Sequence, residues 1–121
     1  LKPWPARPKY GQVRTDGYAS KLEAAVRELL GFREKAGEIR DIQRGRVHLT
    51  CGIYWNVDFN FEDVKTGARV YCEAKGFETE RYRLLKKLWA GGFGPGDLEI
   101  WKGDYRRPRL DEVIRPKKAR A

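Results

Sequence analysis

Residues 54–62, Tyr-Trp-Asn-Val-Asp-Phe-Asn-Phe-Glu, and residues 69–75, Arg-Val-Tyr-Cys-Glu-Ala-Lys, alternate apolar and polar side chains. That two-residue period is the signature of β-strands. In the first stretch Val57, Phe59 and Phe61 are expected to face one way, and Asp58, Asn60 and Glu62 the other. In the second, Val70, Cys72 and Ala74 are expected opposite Tyr71, Glu73 and Lys75. The connection Val64-Lys65-Thr66-Gly67 contains one glycine able to take positive φ, which predicts a four-residue hairpin loop. Asp63 then opposes Ala68, and counting back sets Asp58 directly across from Glu73. Directly opposed residues share a sheet face, and Lys75, two residues beyond Glu73, shares it too.

Charged side chains in mid-sheet are costly unless paired or bound to a cation. Two adjacent carboxylates repel and so call for positive charge between them. An all-oxygen ligand set favours Mg²⁺, with Mn²⁺ as substitute, over Zn²⁺, and the backbone carbonyl of Ala74 is a further candidate ligand. Lys75 beside them suits hydrolysis, holding the attacking water and offsetting charge that grows on phosphorus. The bland alternative is an ordinary cross-strand ion pair, since Glu-x-Lys alone is a weak motif.

Working outward, Ser20 reads as the N-cap of a helix carrying Leu22, Val26, Leu29 and Leu30 at helical spacing, stopped by Gly37. Ser20-x-x-Glu23 has the form of a capping box. Glu23 also lies at the border of the apolar face, from which it can reach the sheet. Ile39–Gln43 and Val47–Cys51 suggest a strand pair joined near Gly45. A second helix is expected over Glu80–Ala90, with Leu84, Leu85 and Leu88 as its stripe and Gly91-Gly92 as its end, before a last strand at Leu98–Lys102. The order is helix, three or four strands, helix, strand, an α/β class with a mixed sheet. Residues 1–17, with three Pro and two Gly among basic residues, read as an extended arm, 18–103 as one domain, and 104–121 as a basic tail with a short helical turn around Leu110–Ile114.

The 121 residues allow one domain with one modest core. A net charge of +9 points to a polyanionic partner, nucleic acid above all. No apolar run is long enough for a membrane helix, and no basic amphipathic helix suggests a membrane surface. Cys51 and Cys72 are too few for a zinc site and read as reduced thiols. Met is absent, so the chain is expected to begin inside the encoded protein. With no hydrophobic signal core at the N-terminus, the expected compartment is the cytoplasm. His48 reads as structural. Trp55, Tyr82, Trp89 and Trp101 read as core or subunit-interface residues. Basic residues expected to contact a DNA backbone are Lys21, Arg81, Arg83, Lys86 and Lys87, with Arg7, Lys9 and Arg14 on the arm. The alternative for the second helix is a solvated face.

Glu23, then Asp58, then Glu73-Ala74-Lys75 (D-x14-E-x-K) resembles the PD-(D/E)XK nuclease superfamily. The likeness extends through YASKLEA (18–24), VDFNFED (57–63), VYCEAKGFETERYRLLKKLW (70–89) and LEIWKG (98–103). It looks closest to archaeal-type Holliday junction resolvases and related small bacteriophage nucleases. Val57 stands where the motif has Pro. The resemblance implies a restriction-endonuclease-like core in which Glu23, Asp58 and Glu73 bind Mg²⁺ and Lys75 assists the water. It further implies an endonuclease for four-way or branched DNA in recombination or phage DNA processing, acting as a homodimer, in the host cytoplasm if phage-encoded. Other branched-DNA or restriction-like nucleases, and a non-catalytic basic nucleic-acid-binding protein, remain the alternatives.

Overall fold

The computed structural model describes residues 20–118. Helix α1 (Lys21–Lys35) begins as expected, the Ser20 hydroxyl accepting a hydrogen bond from the Glu23 N–H at 3.1 Å. Strands β1 (Ile39–Thr50), β2 (Ile53–Asp63) and β3 (Arg69–Ala74) form an antiparallel meander. Helix α2 (Glu80–Leu88), capped by Thr79, runs into a single π turn (Trp89–Phe93). It carries the chain over to β4 (Leu98–Lys102), parallel to β3, and β5 (Arg109–Ile114) closes the far edge antiparallel to β4. The result is a five-stranded mixed sheet in the order β1-β2-β3-β4-β5 with two helices, an α/β architecture.

Each helix buries a stripe on its own face of the sheet. Leu22, Val26 and Leu30 of α1 pack on Ile39, Phe59, Phe61 and Cys72. Tyr82 and Leu85 of α2, with Trp89, pack on Val47, Leu49, Trp55, Val57, Leu98, Ile100 and Ile114. Leu84, expected in that stripe, is half exposed, because Tyr82, Leu85 and Trp89 take the inward positions at their three- and four-residue spacing. Trp89 is fully buried, its indole N–H donating to the Gly96 carbonyl at 2.8 Å.

Three sequence expectations are corrected. First, Val57 does not share a face with Phe59 and Phe61: it packs beneath α2 while they pack beneath α1. The cause is a bulge, since Gln43 pairs with Asn60 but Gly45 with Val57, giving β2 one more residue than β1 there. Second, Gly45 makes no turn. It stays in the ladder of one continuous β1, where a Cβ would come 3.2 Å from Asn60 Nδ2. The β1–β2 turn is Cys51-Gly52, both with positive φ (45° and 74°), as a two-residue hairpin loop requires. Third, residues 109–114 are a strand, not a helical turn in a tail. Ile114 reaches the core beside Leu98, and the exposed charges are paired, Asp111 with Lys102 and Arg109, and Glu112 with Lys86. Such charges are usual on an edge strand.

Cys51 is exposed and Cys72 buried, both free thiols. His48 accepts a hydrogen bond from the Gly52 N–H and packs against Tyr54, in keeping with a structural part. Among the described residues, no helix is long and apolar enough to cross a membrane.

Candidate active site

The β2–β3 ladder follows the expected register, from Glu62 opposite Arg69 to Phe59 opposite Cys72. The next pair in that register is Asp58 with Glu73, and here the strands part. Side chains take over the hydrogen bonds that the ladder gives up: the Ala74 N–H donates to Asp58 Oδ2 at 2.8 Å, and the Asp58 N–H donates to Glu73 Oε1 at 3.1 Å. Buried backbone groups need partners. At this fork the two acids supply them, so their carboxylates are held at the sheet's opening.

The bulge in β2 has a consequence for Asp58. It breaks the alternation between Val57 and Phe59, and Asp58 between them borders a cleft lined by N-terminal residues of both helices, Leu22 and Glu23 of α1 and Arg81 and Tyr82 of α2. Glu23, in the first turn of α1, is buried and hydrogen-bonded to Asp58 through its side chain, while only its backbone N–H serves the cap. Asp58 therefore stands between two other carboxylates. Glu73 lies toward α2, with Lys75 beyond it. The Lys75 ammonium sits 5.2 Å from the centroid of the Tyr82 ring. These groups line a cleft of about 670 Å³, bordered by Tyr54, Gly76, Phe77, Thr79, Arg81 and Tyr82 among others.

Burial, followed by the charges of Glu73 and Glu23, raises the Asp58 pKa well above the usual aspartate range. Burial likewise pushes Glu73 up to about 7, against the opposing pull of Lys75. The cluster thus holds protons that ordinary carboxylates would have shed, because three acids crowd into one desolvated place. Among the described residues, no three acidic, His or Cys side chains stand as a ready-made cation cage. The oxygens of Glu23, Asp58 and Glu73 are instead turned onto one another and onto backbone N–H groups. Their chemistry still fits a hard divalent cation: all donors are oxygens, and a bound cation relieves the repulsion that protonation relieves here. Ala74, expected to offer its carbonyl, borders the same cleft.

The basic residues divide. Arg81 lines the cleft, donating to the Tyr54 carbonyl at 3.4 Å. Lys21 is exposed beside the α1 start, its ammonium 4.9 Å from the Tyr105 ring centroid. Arg83 and Lys87 are exposed on α2. Lys86 is half-buried and committed to Glu112 and Glu78 rather than offered outward. Arg7, Lys9 and Arg14 lie outside the described residues. Tyr82, expected in the core or at a subunit interface, is buried in the core and also lines the cleft. Its hydroxyl has no hydrogen-bond partner. Its one sequence signal is a position four residues from Glu78 and seven from Lys75, which places it on the first turn of the helix that follows the Glu-x-Lys strand.

A pH prediction arises from this cluster. Because the folded-state pKa of Glu73, about 7, lies above the ordinary 4.5, the folded protein holds its proton more tightly than the unfolded chain between those values. The stability gained is fully present below pH 4.5 and is lost as pH rises through 7, and a shift of this size is worth on the order of 3 kcal/mol. Metal-free protein is expected to melt at lower temperature at pH 8 than at pH 5.5. Mg²⁺ should raise the Tm at pH 8 and hardly at pH 5.5. A Tm that is flat across this range and indifferent to Mg²⁺ at pH 8 would show that the acids do not titrate as a cluster.

Comparison with protein-family models, curated proteins and solved structures finds no match to this chain.

Proposed function

We propose that this chain is a metal-dependent DNA endonuclease of the PD-(D/E)XK kind, acting on four-way or otherwise branched DNA. The observation that carries the reading is the convergence of Glu23, Asp58 and Glu73 at the β2–β3 fork, with Lys75 beside them in an open cleft. An inert cross-strand ion pair needs neither a third acid from α1 nor a cleft. The element order, with α1 before the meander and α2 leaving the Glu-x-Lys strand, agrees with the resemblance in the sequence.

Glu23, Asp58 and Glu73 would hold Mg²⁺ or Mn²⁺, which supplies Lewis-acid stabilisation of charge growing on a phosphoryl oxygen. The chain's own groups do the rest. Lys75, limited in its motion by the Tyr82 ring, orients the attacking water and offsets negative charge at phosphorus. Arg81 on the cleft wall and Lys21 at the α1 start steady the phosphate backbone. Cutting a four-way junction symmetrically takes two such sites, hence a two-fold dimer.

A second reading, a basic protein that binds nucleic acid without cutting it, draws on the carboxylates being satisfied by backbone N–H groups with no cage formed. One panel separates the two: duplex, flap, fork and four-way DNA incubated with Mg²⁺ under a single salt condition. Paired symmetric nicks on the four-way form are expected. Tight binding with every form left intact favours the binding protein, and indiscriminate duplex degradation removes the branched-DNA assignment.

A further inference from the structure

Among the described residues, Phe77 is the most exposed of the large apolar side chains, at 74%. It lies on the short connection between the Glu-x-Lys strand and α2, two residues after Lys75 and two before the N-cap Thr79. The core has no use for it, yet it borders the same cleft as Asp58, Glu73 and Lys75. A second exposed aromatic, Tyr54, borders that cleft too, with the Arg46 guanidinium 4.2 Å from its ring centroid and Arg81 bonded to its carbonyl. The cleft rim therefore combines an open aromatic face, on Phe77, with cations gathered around Tyr54.

We propose that this rim captures a nucleobase that has left its stack, with Phe77 as the stacking surface. The substrate would then be DNA with an unpaired or branch-point base next to the attacked phosphate. This rests on the nuclease reading of the cleft and specifies its substrate class. Every base presents a π-face, and stacking on an aromatic side chain is a strong, sequence-tolerant source of single-strand affinity. A base inside a continuous duplex has both faces covered by its neighbours and gives Phe77 nothing to stack on. Arg46 and Arg81 supply the positive charge that a nearby phosphate requires, and guanidinium groups also take part in stacking. An ammonium, three carboxylates able to hold a cation and a stacking ring within one cleft fit a nucleotide whose base and phosphate are held together.

The test reads capture without cutting. The full chain, with divalent cations chelated, is titrated into DNA carrying 2-aminopurine in a one-nucleotide bulge, in a single-stranded overhang, or inside continuous duplex. Binding is expected to quench the probe at the two unpaired positions. Phe77→Ala should abolish that quenching and weaken binding of the bulged and overhang forms about tenfold, with less than a twofold change for continuous duplex. Phe77→Trp should keep both properties, and the exposure of the site makes either substitution harmless to folding. Equal weakening of all three forms, or none, overturns the proposal. So does loss of self-association without loss of quenching, which would assign Phe77 to a subunit interface. Because no cation is present, capture without Mg²⁺-dependent cutting would sink the nuclease reading alone, and cutting without capture would sink this inference alone.

Discussion

Asp58→Asn is expected to lower the rate of DNA cleavage by roughly 10³-fold or more while leaving DNA affinity equal to wild type or a few-fold higher. The amide keeps the shape of the carboxyl and can still accept the hydrogen bond from the Ala74 N–H. What it removes is the charge at the middle of the three acids, the position flanked by both Glu23 and Glu73. A divalent cation loses its central ligand, and the DNA phosphate loses a repulsive neighbour. Glu73→Gln should behave alike, for the Asp58 N–H still finds an acceptor. Metal-free melting at pH 8 should not fall in either variant, because a like-charge contact has been relieved. If the acids were merely structural the pattern would invert, with stability falling and cleavage untouched. Parallel measurement of single-turnover rate, Kd and Tm on both variants distinguishes the two outcomes.

The largest expected effect on stability lies on the other side of the cleft wall. Trp89→Ala should cost about 3–5 kcal/mol, as complete truncation of a buried aromatic does. Trp89 is wholly buried, meets Trp55 and Tyr71 edge-on at centroid distances of 5.8 and 5.3 Å, and donates to the Gly96 carbonyl. The chain after the π turn is shaped around it, since a Cβ on Gly94 would lie 2.4 Å from the indole ring. With total stabilities of small domains near 5–15 kcal/mol, this single change removes at least about a fifth of the margin and, in a marginal domain, most of it. The urea midpoint should fall steeply, and Trp89→Phe should recover most of the packing but not the hydrogen bond. An unchanged midpoint for Trp89→Ala would mean that the α2 face is not the core described.

The site was more legible in the sequence than the sheet around it. The loop Val64–Gly67 fixed the hairpin register, and one correct register set Asp58 against Glu73 with no further information. Glu23 was ambiguous because Ser20-x-x-Glu23 explains it locally; only the approach of α1 to the fork shows that the side chain serves Asp58 and the backbone N–H serves the cap. The switch of faces between Val57 and Phe59 was hidden because helices cover both faces, so an apolar residue is suitable on either side and alternation loses its meaning. Gly45 looked like a turn residue because sequence does not distinguish a glycine needed for positive φ from one needed for close approach to Asn60. Strand β5 was obscured by its charges, whose partners Lys86 and Lys102 come from α2 and β4 and are not visible from local pattern. Phe77 gave no signal at all: an aromatic in a short connection is conspicuous only once the cleft beside it is known.

The proposed metal-dependent activity is tested by following DNA cleavage by the wild-type chain as Mg²⁺ is titrated into metal-free protein at pH 8. No cutting is expected without the cation, with a saturable rise in rate as it is added and complete loss on chelation. Cutting that persists unchanged in chelator, or DNA that stays intact at every Mg²⁺ and Mn²⁺ concentration while remaining bound, would contradict it.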